Sequence, residues 1–154
     1  MILETAQLLS TAHRVLDGEQ YFKLSKNNRR LKYWRLNDNR EDELYQVFGV
    51  NHPVSKWVRE CSDNYIFAFN LFQELNKEYE YRYDKKHKSK QLIGELAYMP
   101  INIEPGRMTT PSLAMPSIYY DEDPVKAYRN YYLGEKASFL NYTKREKPDW
   151  LKGI

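Results

Sequence analysis

A chain of 154 residues, 42% hydrophobic and 29% charged, is long enough for one domain with its own core and too apolar for a disordered tail. Its 24 Lys and Arg against 21 Asp and Glu leave a formal charge of +3, which permits a nucleic-acid partner without requiring one. A single cysteine, Cys61, excludes an intrachain disulfide or a cysteine-based zinc cluster and fits a reducing, cytoplasmic setting. No apolar run reaches membrane-spanning length, and MILETAQLLS lacks the basic flank of a signal peptide.

The spacing of Ile2, Ala6, Leu9, His13 and Leu16 predicts a helix over residues 1–16 with that arc buried. Glu4, Gln7, Thr11 and Arg14 fall on a second face, and Asp17-Gly18 ends the helix. Residues 19–50 carry the weakest periodic signal. Six basic residues and no acidic one lie from Lys23 to Arg35, a stretch that reads as a loop or a short hairpin. NDNREDE reverses the sign, and Leu44, Val47 and Phe48 predict a short amphipathic helix before Gly49.

Asn51-His52-Pro53 predicts a helix start, with Asn51 or His52 as cap and Pro53 in the first turn, running on through SKWVREC. Ser62 or Asp63 then starts a longer helix through Tyr83, whose stripe of Tyr65, Ala68, Phe69, Phe72, Leu75 and Tyr79 marks it as the central core helix. Glu78 and Arg82, four apart, pair outside that stripe. Another short helix is expected over Lys88–Leu96. Residues 98–120 contain Pro100, Pro105, Pro111 and Pro116, so regular structure is not expected. Met99, Ile101, Ile103, Leu113, Met115 and Ile118 would pack this segment across the helices. Asp123-Pro124 starts a last helix to about Tyr142, with Tyr128, Tyr132 and Phe139 on one side, and Trp150 docks the tail. The pattern reads as all-α: one compact domain, residues 1–154, of about four to six helices with a long ordered proline-rich loop.

The three histidines, His13, His52 and His87, have no ligand spacing, and the glycines form no phosphate loop. Neither a metal nor a cofactor is expected. His13 reads as a packed core histidine and His52 as a helix cap, which is also an anion-facing position. His87, between Lys86 and Lys88, meets phosphate or water. Glu4 in the first helical turn matches the helix dipole; alternatively it lines a cleft beside Arg14 and Arg59.

Basic residues gather in three groups. Lys23, Lys26, Arg29, Arg30, Lys32 and Arg35 interleave with Tyr33 and Trp34; Lys85, Lys86, Lys88 and Lys90 flank His87; Lys126, Arg129 and Lys136 lie on the last helix, before Lys144 and Arg145. With Lys56 and Arg59 they could track a phosphate backbone while aromatic rings meet bases. A charge run also serves solubility, and for residues 23–35 the two readings weigh equally. In KEYEYRYDKKHKS (residues 77–89), Tyr79 and Tyr83 extend the core stripe, so only Lys85–Lys90 is a candidate grip.

MILETAQLLSTAHRVLDG, NHPVSKWVRE, EYEYRYDKKHKS and DPVKAYRNYYLGEKA together resemble a family of tailed-phage proteins whose members carry a further N-terminal segment. More distantly, ILETAQL and the stretch from NHP to RYDKKHKS resemble the pyrimidine-dimer DNA glycosylases of the phage endonuclease V type. That resemblance implies an endonuclease V-like helical fold, a catalytic Glu4 and His52, and a double-stranded DNA partner; Arg14 joins them as the arginine on the face of Glu4. The glycosylases use an α-amino nucleophile well upstream of the glutamate, whereas Met1 lies three residues before Glu4. Leu3 and Gln7 stand where that family has arginines. The implied function is a phage-encoded nucleic-acid-associated protein of the infected cell's cytoplasm, with glycosylase or abasic-site lyase activity as its most specific form. The alternative is an accessory protein that binds a host or phage protein through its tyrosine-rich surface, with no membrane involved.

Overall fold

In the computed structural model, which describes residues 1–151, helix α1 (Ile2–Asp17) runs through the middle of the domain. The expected arc of Ile2, Ala6, Leu9 and His13 is buried, but so are Thr5, Ser10, Thr11 and Arg14. Helices α3 (Pro53–Val58) and α4 (Ser62–Tyr83) pack against α1. The core joins α1 and α4 through Leu9, Tyr65, Ala68 and Phe72, and closes over Leu36, Leu44, Leu92 and Leu96.

The fold is mostly helical but not all-α, which corrects the expectation. Strands β1 (Glu19–Leu24) and β2 (Arg30–Arg35) form an antiparallel ribbon with Tyr21 opposite Tyr33 and Phe22 opposite Lys32. The Ser25 amide donates to the Arg29 carbonyl at 2.8 Å, and the Asn28 amide to the Ser25 carbonyl at 3.0 Å. Asn28 takes the left-handed conformation (φ 55°), which asparagine tolerates better than most residues. Gly18 makes the entry possible. A Cβ there would lie 2.5 Å from the Arg14 carbonyl oxygen and 2.9 Å from that of Arg35.

Arg14 organises the next stretch of chain. Its side chain is 0% exposed, and its guanidinium donates to the carbonyls of Trp34, Glu41, Leu44 and Tyr45 and to the Glu41 carboxylate. The same carboxylate accepts from the Leu36 amide at 2.9 Å. Burial opposes its ionisation, but the Leu36 amide and Arg14 together hold the Glu41 carboxyl below its ordinary range. Residues 44–48 therefore do not form the expected amphipathic helix. After the short α2 (Arg40–Glu43) the chain is extended, and its backbone groups go to α1 side chains. Phe48 both donates to and accepts from the Thr11 hydroxyl, at 3.0 and 3.3 Å.

A second buried polar chain starts at His13. Arg40 can only donate, so the 2.9 Å contact between its Nη1 and His13 Nδ1 makes Nδ1 the acceptor. Nε2 then carries the proton and donates to the Tyr65 hydroxyl at 2.8 Å, which donates to the Leu96 carbonyl at 3.0 Å. Burial first, then Arg40, lowers the imidazole pKa to about 4. Arg40 also pairs with Asp17 at 2.6 Å and Asp38 at 2.7 Å. Burial resists ionisation of Asp17, but Arg40 and the amides of Ile101 and Asn102 outweigh it and lower its pKa.

Those two amides show what orders the proline-rich segment. It is held by polar contacts rather than by the expected row of apolar side chains. Met115 is buried and Ile103 and Leu113 are partly so, whereas Met99, Ile101 and Ile118 are exposed. The carbonyls of Glu104 and Gly106 accept from the amides of Ser62 and Asp63. They satisfy the first two N–H groups of α4 in place of a side-chain cap. Asn64, buried, ties the Thr109 amide and hydroxyl to the Trp57 carbonyl.

α4 has the expected extent, with Tyr65, Ala68 and Phe72 buried, although Tyr83 is exposed. Glu78 pairs with Arg82 at 2.7 Å and with Arg145 at 2.7 Å; Arg145, then Arg82, lowers its pKa to about 2. Residues 88–96 form a 3₁₀ turn (Lys88–Leu92) leading into α5 (Ile93–Leu96). Asp123 caps α6 (Pro124–Tyr131) by accepting from the Val125 amide. The helix does not continue regularly to Tyr142. It widens into a π-turn over Tyr132–Lys136 where the Tyr119 phenol sits on Gly134, its hydroxyl 2.5 Å from where a Cβ would be. Near the C-terminal end of the described chain Leu151 is buried and Trp150 half-buried, with Arg129 stacked on the indole at 5.5 Å.

Two outcomes follow for stability. Arg14→Met leaves four carbonyls without this donor and the Glu41 carboxylate with only the Leu36 amide, and should cost about 3–5 kcal/mol, read from urea unfolding; Arg14→Lys, lacking the planar fork, should recover little. His13 titrates at about 4 in the folded chain against 6.5 unfolded, so between those values the unfolded state binds the extra proton. Its contribution is full above pH 6.5 and falls by about 3 kcal/mol as pH drops to about 4. Urea midpoints of wild type and His13→Gln across that window check it. The Gln variant should lose that slope, while Asp17 and Asp38, with lowered pKa values, titrate further down.

Candidate anion-binding surfaces

The β1–β2 ribbon is exposed along most of both faces. Cross-strand partners share a face, so one side carries Glu19, Tyr21, Lys23, Leu31, Tyr33 and Arg35, and the other Gln20, Phe22, Leu24, Arg30, Lys32 and Trp34. Each face mixes rings with cations. The Lys23 ammonium lies 5.3 Å from the centroids of both Tyr21 and Tyr33, Arg35 lies 5.2 Å from that of Tyr21, and Arg30 lies 3.6 Å from that of Phe22. Such stacking orders the cations and covers the rings while leaving the charge at the surface. Among the described residues none of Lys23, Lys26, Arg29, Arg30, Lys32 and Arg35 has a carboxylate within 4.0 Å. Trp34 is half-buried at the ribbon's root, where its carbonyl accepts from Arg14 at 3.2 Å.

The other basic groups are arranged differently. Lys90 pairs with Glu80, Lys126 with Asp121, Lys144 with Asp84 and Arg145 with Glu78. Arg145 also stacks on Tyr81 at 4.1 Å, so part of the tyrosine-rich surface is already covered. Lys85, Lys86 and Lys88 are exposed, but His87 is a capping residue: its Nδ1 accepts from the Ser89 amide at 3.1 Å and its ring meets Tyr79 edge-on.

Lys56 in α3 and Arg59, the residue that caps its C-terminus, line a cavity of about 510 Å³ together with Asn51 and Glu60. Leu16, Pro53 and Trp57 form its apolar wall. Sequence reasoning selected the two cations but missed Asn51, Trp57 and Glu60; only the spacing of Lys56 and Arg59 signalled a shared face.

Glu4, Arg14 and His52 do not converge, and none of them lines this cavity. Glu4 is exposed and pairs with the Met1 α-amino group at 3.3 Å. Arg14 lies ten residues further along α1, about 15 Å on, buried and saturated by protein acceptors. A cleft with Glu4 beside Arg14 is therefore not formed. His52 is exposed at the N-cap of α3 without a side-chain cap bond.

No group of three or more His, Cys, Asp or Glu side chains among the described residues could hold a metal ion. No described helix is long and apolar enough to cross a membrane. No family model matches the chain, and neither a curated protein nor a solved structure does.

Proposed function

We propose that the protein binds nucleic acid and that the β1–β2 ribbon is its principal contact. The observation that carries this reading is the contrast between paired and unpaired cations. Around the C-terminal end of α4, Arg82, Lys90, Lys144 and Arg145 are matched by carboxylates, and only Lys85, Lys86 and Lys88 stand exposed there without an ion pair among the described residues. On the ribbon six cations have no carboxylate within 4.0 Å among the described residues, Arg35 alone lying near enough to Glu41 to help lower its pKa, and they stand beside rings such as the exposed Phe22. Phosphate contacts from such a surface fix the protein on a strand or duplex, and rings offer platforms to sugars or bases. The reading agrees with the likeness to phage-encoded DNA-acting proteins and is one of binding; of the residues implied for glycosylase or lyase chemistry, Glu4 meets the Met1 α-amino group, whereas Arg14 and His52 do not join them. A protein partner is the alternative, favoured by the exposed Ile66, Phe67 and Leu71 on α4.

The test is fluorescence anisotropy with labelled duplex and single-stranded DNA. If the ribbon neutralises about four phosphates, log Kobs should fall with log salt at a slope near −3.6, about −0.9 per phosphate on duplex. The combined variant K23Q/K26Q/R29Q/R30Q/K32Q should bind about 100-fold more weakly near 50 mM salt and lose most of that slope. K77Q/K90Q, which removes paired cations, should change little. No binding at low salt, or an unaltered slope in the ribbon variant, would refute the reading and turn attention to the α4 surface.

A further inference from the structure

We propose that the cavity beside Arg59 is a nucleotide site that takes one nucleoside monophosphate unit, with the phosphate on Arg59 and Lys56. The site stands apart from the ribbon and does not depend on its role. Arg59 is half-buried, and its guanidinium donates to the Ser55 hydroxyl at 3.0 Å and the Val50 carbonyl at 2.7 Å. Both acceptors are neutral, and no carboxylate lies within 4.0 Å among the described residues. The other arginines removed from water, Arg14 and Arg40, each meet a carboxylate. An uncompensated cation held partly out of water is costly in the empty state and is favoured when an anion arrives. Burial accordingly lowers the Arg59 pKa. Two of its five N–H donors are used by those acceptors, which leaves donors for two phosphate oxygens.

The rest of the cavity narrows the ligand class. Lys56 is exposed and has no ion pair among the described residues, so two cations face the opening. Glu60 lines the same space and accepts from the Thr109 hydroxyl at 3.1 Å. Its charge disfavours a pyrophosphate and suits a ligand whose body carries hydroxyl or amino donors. Leu16, Pro53 and Trp57 supply an apolar wall for a flat ring, and the Asn51 amide offers both a donor and an acceptor. A volume of about 510 Å³ lies within the range of small-molecule sites and exceeds what a bare phosphate fills. One phosphate, a donor-bearing sugar and a flat ring together are a mononucleotide, either free or at the 5′-phosphorylated end of a strand.

NMR titration with thymidine monophosphate, watching the Arg59 Nε–H and Trp57 Nε1–H resonances, tests the site. Both should shift, with half-saturation below about 1 mM, while inorganic phosphate and thymidine should each bind at least about 10-fold more weakly. Arg59→Gln should abolish the shift at Trp57, and Lys56→Gln, at an exposed position, should weaken binding several-fold. Arg59 also ties Ser55 and Val50, so thermal melts establish that its variants fold, and Arg59→Lys should keep part of the affinity. The ribbon variant should bind the nucleotide as wild type does, which separates this site from the ribbon. Tighter binding of a 5′-phosphorylated oligonucleotide than of its 5′-hydroxyl form would assign the ligand to a strand end; equal binding, with the mononucleotide retained, would assign it to a free nucleotide. No shift at about 10 mM nucleotide, or inorganic phosphate binding equally well, would overturn the proposal.

Discussion

The buried guanidinium of Arg14 is the constraint on which the middle of the molecule depends. A helix ordinarily cannot bury such a group, because losing its water costs more than one ion pair returns. Here the chain wraps around it. The end of β2, the short α2 and the extended residues that follow all present carbonyl oxygens to Arg14, and Glu41 adds the compensating charge. Because Glu41 also receives the Leu36 amide, the ribbon leaves the domain from a fixed root. Gly18 allows that root to close on α1. His13, Asp17 and Arg40 do similar work one step away, linking α1 to α4 and to the segment around Asn102.

The same physics separates structural from functional charge. Arg14 and Arg40 are removed from water against carboxylates and serve the fold. In the C-terminal region Lys126, Lys144 and Arg145 pair at the surface, where each pair contributes little to stability. Among the described residues the largest group of cations without an ion pair is on the ribbon; Lys56 and Arg59 stand beside the α3 cavity, and Lys85, Lys86 and Lys88 follow α4. Net charge conceals this. A formal charge of +3 describes a nearly balanced chain, but the balance is between regions rather than within each. A positive ribbon of this kind would raise the rate of encounter with a polyanion as well as the affinity.

How much was legible follows from which forces set each element. α4 could be read from Ser62 to Tyr83 because its apolar spacing reflects one buried stripe, and Asp123-Pro124 announced α6 because that cap is local. The ribbon's sequence fits a loop as well as a hairpin, since strands exposed on both faces lack the alternation that a half-buried strand shows. Leu44, Val47 and Phe48 imitate a helical stripe, yet their backbone is taken by Arg14 and Thr11 from a distant element. Arg14 itself was placed on a polar face by its position in the helix, and only tertiary contacts reveal that this face is covered. The cavity was half visible: Lys56 and Arg59 stand three residues apart, but Leu16 and Trp57 meet there only in three dimensions.

The most direct test of the central claim, that the ribbon contacts nucleic acid, is lysine-reactive footprinting of the protein with and without a DNA duplex, read by mass spectrometry. Lys23, Lys26 and Lys32 should become protected on binding, while Lys77 and Lys126, exposed and paired to acidic neighbours, keep their reactivity. Protection confined to lysines outside the ribbon, with Lys23, Lys26 and Lys32 unchanged in a saturated complex, would contradict the account.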